Sequence, residues 1–353
     1  MTLADFVALM PKAELHVHLE GAIQPKTLLR LSRRNKIPLP ASTLEDLGSW
    51  YRFAGFPHFL EVYLQVSECI RTPEDIELIA RDFLKGQAAQ NILYSEVTYT
   101  AYTHWLQKGL SFDEQLAALN RARAWGEGVL GTQMRLIIDI PRQVTASEGR
   151  TTAEWAISAM GDGVVALGLG GPEADDPPEK FADSFAMAHE AGLPCVPHAG
   201  ETAGPQSIWG ALQTCCPARI EHGVRCLEDP ALVADLRARQ VPLDVCPTSN
   251  VCLGVVPDLK SHPLPQLVAE GLYVTLNSDD PALFGTTLTD EYLKAAAVFG
   301  FGRQDLEGLV MNAVRASLLD GEEKAIMIRE FQTQLLTKPG TSPSGAVEFD
   351  SCQ

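Results

Sequence analysis

The sequence predicts one α/β domain closed as a (β/α)8 TIM barrel. Three observations carry this: eight short apolar runs, helix-like segments between them, and polar residues gathered at the C-terminal ends of the runs. The runs are nearly continuous hydrophobics, as expected of parallel strands covered on both faces. Alternating β and α elements argue for a parallel sheet, and eight repeats argue for closure.

In chain order the expected strands are 14–19 (ELHVHL), 92–99 (ILYSEVTY), 134–140 (MRLIIDI) and 164–169 (VVALGL), then 194–199 (PCVPHA), 218–223 (ARIEHG), 242–247 (PLDVCP) and 273–279 (YVTLNSD). Segments such as PEKFADSFAMAHEAG and DPALVADLRARQ have helical spacing. The stretch 20–90 is too long for one crossover, so extra helices are expected after the first strand. It contains an aromatic-rich piece with Trp50, Tyr51, Phe53, Phe56, Phe59 and Tyr63. This is read first as ordinary helix core, with a lid that stacks on a planar substrate as the alternative. More helix is expected over 302–337 at the C-terminus. The single domain is placed at 1–338, and the Gly-, Ser- and Pro-rich tail 339–353 is expected to be disordered.

Lys and Arg total 28 against 45 Asp and Glu, a net charge of −17 that argues against nucleic acid and anionic membranes as partners. A small neutral substrate is compatible with that field. The N-terminus MTLADFVALMPKAE has no basic n-region and no small-residue cleavage site, and no apolar run approaches the ~18 residues of a membrane span. The eight cysteines form no C-x-x-C pair, so neither a zinc ribbon nor a disulfide scaffold is indicated. A cytoplasmic enzyme is the expectation; the oligomeric state is left open.

The chemistry is expected at the C-terminal strand ends, where such barrels carry their active sites. The first strand ends in His16-Val17-His18, and side chains at i and i+2 share one face. The fifth ends at His198, three residues before Glu201; the sixth ends at His222; the eighth ends at Asp279-Asp280. Three imidazoles and one carboxylate from such a set suit Zn²⁺ with a position left for water. The remaining histidines, His58, His104, His189 and His262, are read as surface or satisfied-core residues.

The segments KAELHVHLEGA (12–22), LGGPE (169–173), PHAGE (197–201), RIEHGVRC (219–226), VCPTSN (245–250) and TLNSDDPALFGTTL (275–288) together resemble the adenosine deaminase family of the amidohydrolase superfamily. The resemblance implies one Zn²⁺ per chain held by His16, His18, His198 and Asp279. It implies that Glu201 protonates purine N1, that Asp280 bonds N7 and that the Gly171 backbone meets N3. His222 would act on the attacking water as base and electrostatic partner. Carbon 6 is a poor electrophile until N1 is protonated, so Glu201 has to carry a proton when substrate binds, which burial favours.

The implied reaction is hydrolysis of a 6-aminopurine nucleoside, adenosine or 2′-deoxyadenosine, to the 6-oxo product and ammonia. Glu20 stands where animal-type members have an Asp on the ribose 5′-hydroxyl, so Glu20 is the expected sugar contact. Gly168 replaces another usual Asp, and Ser278 stands in the usual Asn-Thr-Asp-Asp run. These changes keep two alternatives open: aminodeoxyfutalosine, a menaquinone precursor with a bulky 5′ extension, and free adenine. A two-metal lactonase or phosphotriesterase would use a lysine at the fourth strand end, which here reads Gly168-Leu169-Gly170-Gly171. A purine-binding barrel without catalysis would show broken ligands, and none is broken.

Overall fold

A computed structural model describes residues 2–337 of the chain. Eight parallel strands follow one another around the barrel in sequence order. They are β1 (Lys12–His18), β2 (Ile92–Tyr99), β3 (Gln133–Pro141), β4 (Val164–Gly170), β5 (Cys195–Ala199), β6 (Ile220–His222), β7 (Leu243–Val245) and β8 (Val274–Leu276). The barrel closes between β1 and the end of β8, where His18 N donates to Asp279 O at 2.9 Å and Asp279 N to His16 O at 3.1 Å. Closure is thus made by the backbone of three residues expected to hold metal.

All eight expected strands are present. β6, β7 and β8 are only three residues each, shorter than the apolar runs suggested. His222, the last residue of β6, and Asp279, three residues past β8, are left-handed, with φ of 66° and 63°. Non-glycine residues rarely adopt this conformation, and it collects at functional sites because the surroundings must hold it.

One helix, α1 (Leu3–Leu9), precedes the barrel; α2 (Pro25–Asn35), α3 (Leu44–Trp50), α4 (Phe56–Glu68) and α5 (Pro73–Ala89) fill the long first connection. Their starts are written locally. Thr43 and Asp46, and again Thr72 and Asp75, form capping boxes that satisfy orphan N–H groups of α3 and α5. After β2 comes α6 (Ala101–Lys108), ended by left-handed Gly109. The expected C-terminal helix is two, Arg303–Ala316 and Gly321–Thr337, and between them Leu318 packs on Ile137, Ala166 and Val196. The disordered-tail expectation for 339–353, and the domain end at 338, lie outside the described residues. Among the described residues no helix is long and apolar enough to cross a membrane.

Candidate active site

Side chains from β1, β5 and the end of β8 converge on one point. His16 Nε2 and His18 Nε2 each lie 3.3 Å from Asp279 Oδ1, and His18 Nε2 lies 3.2 Å from His198 Nε2. One ligand atom from each of the four lies within 4.8 Å of the others. His16 Nε2 is buried with no hydrogen-bond partner. A tetrahedral site with metal–ligand distances of ~2.0–2.1 Å has ligand–ligand edges of roughly 3.3 Å, so the donor set fits a cation such as Zn²⁺.

The outward ring atoms are held from behind. His16 Nδ1 lies 3.2 Å from Asp244 O, and His198 Nδ1 lies 3.0 Å from Leu169 O and 2.5 Å from Glu221 Oε2. Carboxylates and carbonyls in this position fix imidazole tautomer and orientation. Burial pushes the Glu221 carboxyl up, but His198 and His16 beside it pull it down to about 2.

Around this group stand the proton-handling residues. His222 Nε2 is 3.6 Å from both Glu201 Oε1 and Asp279 Oδ2. Burial, with Asp279 and Glu173 nearby, holds Glu201 well above the usual carboxyl range. Burial and Asp279 do the same to Asp280. Both shifts favour the protonated O–H form. Burial and His16 hold His222 well below its usual value, so its ring is neutral.

The loop bearing Glu201 is tied down by Glu173 of the LGGPE segment. Its carboxylate accepts from the N–H groups of Gly200 (2.7 Å), Glu201 (2.9 Å) and Thr202 (2.8 Å), and from Ser207 Oγ (2.5 Å). Asp280 is seated against Gly21, where a Cβ would come within 1.7 Å of its Oδ1. Gly171 has φ of 115°, a conformation that only glycine adopts readily.

These residues open into a cavity of about 650 Å³. His18, His198, Glu201, His222, Asp279 and Asp280 line it, with Gly171 on one side. Phe56, Phe59 and Tyr63 of α4 form a wall with Leu60 and Leu64. The aromatic segment is thus core and lid wall at once, since Phe59 also packs on Phe53 and Phe284.

Glu20 is buried close by but does not line the cavity. Its Oε1 accepts from His104 Nε2 at 2.8 Å and from Thr100 N at 3.2 Å, while Oε2 has no partner. Thr100 does line the cavity. His104 is a satisfied core residue, as expected, with Lys108 Nζ donating to its Nδ1 at 3.0 Å.

Sequence reasoning passed over Asp139, which lines the cavity from β3 with Oδ1 buried and unpartnered. Burial and Glu20 push its carboxyl up to about 7. Asp139 pairs in register with Gly168 of β4, where a Cβ would lie 2.9 Å from Asp139 Cβ. The β4 carboxylate missing at Gly168 is therefore matched by one on β3. A charged residue inside the apolar run LIIDIP was the available signal. Glu173, Glu221 and Asn250 were also missed; they act behind the reactive groups, where spacing along one chain says little.

A barrel whose strand ends unite a metal-fitting donor set, two carboxyls shifted toward their protonated form and an imidazole shifted toward its neutral form is a hydrolase of the amidohydrolase kind. The sequence model of the family described as Adenosine deaminase matches residues 11–334. An aminodeoxyfutalosine deaminase of Streptomyces avermitilis is 39% identical over 94% of this chain and 93% of its own. An adenine deaminase of Chlorobium phaeobacteroides is 36% identical over 93% of this chain and 98% of its own. The crystal structure of an adenine deaminase from Arthrobacter aurescens superposes with a TM-score of 0.88 at 34% identity, covering 93% of this chain and all of that one. The chain belongs to the adenosine deaminase family and is a deaminase of adenine-type substrates, hydrolysing a carbon–nitrogen bond.

Proposed function

We propose that this chain deaminates a 6-aminopurine nucleoside with an extended 5′ group, of the aminodeoxyfutalosine kind, using one Zn²⁺ held by His16, His18, His198 and Asp279. The reading rests on one observation: His18, His198 and Asp279 of the donor set, the raised Glu201 and Asp280, and Gly171 all line one cavity, with His16 buried directly behind. Purine N1, N7 and N3 are all acceptors, and Glu201 O–H, Asp280 O–H and the Gly171 N–H are the matching donors. Bound Zn²⁺ would supply a water whose pKa is lowered from about 15.7 to about 7. Glu201 passes its proton to N1, which makes carbon 6 electrophilic. His222 holds the attacking water through Nε2. The water's oxygen bonds to carbon 6 and gives up both protons. One goes to the Glu201 carboxylate, which is thereby restored, and the other to the departing amino group. The carbon 6–nitrogen bond breaks, ammonia leaves and a 6-oxo purine protonated at N1 remains. The α4 wall keeps bulk water out while this happens.

The expectation of adenosine itself gives way here, because the relatives reported above bear the names of aminodeoxyfutalosine and adenine deaminases. Polar groups beyond the base-binding set favour a sugar over a bare base. Asp139 Oδ1 and Tyr63 Oη are buried without partners in the cavity wall, and buried polar atoms carry a penalty unless a ligand meets them. The apolar wall of Phe56, Leu60 and Leu64 suits a bulky 5′ extension. Glu20 would act on the sugar through Thr100, whose N–H it holds and which lines the cavity. The second reading, free adenine, is favoured by the engagement of Glu20 with His104 and by the Arthrobacter structure.

Ammonia release by zinc-loaded protein should be compared on aminodeoxyfutalosine, adenosine, 2′-deoxyadenosine and adenine at matched concentrations. The highest kcat/KM is expected on aminodeoxyfutalosine; a preference for adenine would overturn the sugar assignment.

A further inference from the structure

The VCPTSN segment, singled out for its resemblance, contributes no group to the mechanism above, and His262 was read as a bland histidine. The structure joins them to His222 through a chain of hydrogen bonds whose direction is set at its far end. Leu264 N lies 3.1 Å from His262 Nδ1 and donates to it. A backbone N–H can only donate, so Nδ1 of His262 bears no proton. His262 is buried, and burial pushes it down to about 4, so its ring is neutral and its single proton sits on Nε2.

That Nε2–H points at Asn250 Oδ1, 3.0 Å away. The amide of Asn250 is thereby oriented, since its NH₂ cannot face another donor. Its Nδ2 then lies 3.4 Å from His222 Nδ1, and an amide nitrogen can only donate. Asn250 is fully buried, and its backbone is pinned by Asn250 N to Cys246 O at 3.1 Å and Val256 N to Asn250 O at 3.1 Å.

We infer that Leu264 N–H, His262 and Asn250 lock neutral His222 in the Nε2–H tautomer, so that it meets the attacking water as a hydrogen-bond donor. The atom facing Glu201 and Asp279 already carries a proton, and the lone pair on Nδ1 is occupied by Asn250. His222 in this state grips the water's oxygen and has no free lone pair toward the cavity. Asn250 and His262 are positioning residues, acting through His222 without touching substrate. The inference rests on the proposed deamination for its meaning, but the tautomer is a property of the protein.

The test is nitrogen NMR of zinc-loaded protein labelled with ¹⁵N-histidine, with His222 assigned from a His222→Gln variant. The expected wild-type pattern is a one-bond N–H coupling at Nε2 and an unprotonated Nδ1. The reverse pattern overturns the inference, and needs no variant to fold. In Asn250→Asp the carboxylate can only accept, so Nδ1 should gain a proton while zinc content is unchanged and kcat/KM falls about 10–100-fold. An Asn250→Asp protein with wild-type resonances and rate would also overturn it. Loss of the whole substrate panel with the expected NMR pattern would sink the functional reading and leave the lock standing.

Discussion

Two layers of the barrel interior bury charge in opposite ways. In the deeper layer, Arg219 Nη1 meets Glu96 Oε2 at 2.7 Å and its Nε meets Asp244 Oδ2 at 2.8 Å, all three fully buried. Thr275 Oγ1 donates to Asp244 Oδ1 at 2.6 Å, and Asn277 Oδ1 accepts from Leu15 N at 2.8 Å. In the layer above, Glu201 Oε1, Asp280 Oδ1 and Asp139 Oδ1 are buried without hydrogen-bond partners, and His16 Nε2 has only Asp279 Oδ1, at 3.3 Å. The deeper layer is charge made to hold a shape, each ion compensated by another. The upper layer is a set of polar groups held in readiness, whose missing partners, on the proposed function, would be a cation and a purine.

The difference between the layers can be broken by substitution, and the upper layer gives the largest effect. His18→Ala should lose bound metal and measurable turnover together, read by metal analysis beside the ammonia assay. Glu201→Gln should keep its metal and still lose about 10²–10⁴-fold in kcat, because a general acid contributes that much. Near wild-type turnover in Glu201→Gln would remove it as proton donor.

In the deeper layer the expected loss is of stability. Arg219→Met strands Glu96 and Asp244 as uncompensated buried carboxylates and should cost about 3–5 kcal/mol in urea denaturation. The fraction that remains folded should turn over within a few-fold of the wild-type rate.

Asp139 gives the most conditional effect, absent at low pH. Its folded carboxyl is raised to about 7, so its contribution to stability is fully present below the ordinary Asp value of about 3.9 and is lost as pH rises through 7. Asp139→Asn should therefore match wild type near pH 4 and exceed it at pH 8 by up to about 4 kcal/mol. Equal denaturation midpoints at pH 8 would place the titrating carboxyl elsewhere.

The same comparison explains what could be read from the sequence. The eight strands, and the placing of His16, His18, His198 and Asp279 at or just past strand ends, were legible because period, spacing and strand polarity are properties of short segments. The Arg219 network was not, since Glu96 of β2, Arg219 just before β6 and Asp244 of β7 are far apart in sequence and resemble surface charges when read singly. Asp139 was legible in principle, as the one acid in LIIDIP. Its pairing with Gly168 was not, because register across β3 and β4 is a tertiary fact. The aromatic segment was read first as core, and it is core; its second face, toward the cavity, depends on where α4 crosses the barrel mouth. The left-handed backbone of His222 and Asp279 was not legible either, because side-chain type alone does not announce it.

The central claim is that the upper layer is organised around a single cation. It is tested most directly by titrating metal-free protein with Zn²⁺ while following ammonia release from the best substrate of the panel. Activity should rise linearly and break at one equivalent per chain. A break at two equivalents, or full activity with none, would contradict the account.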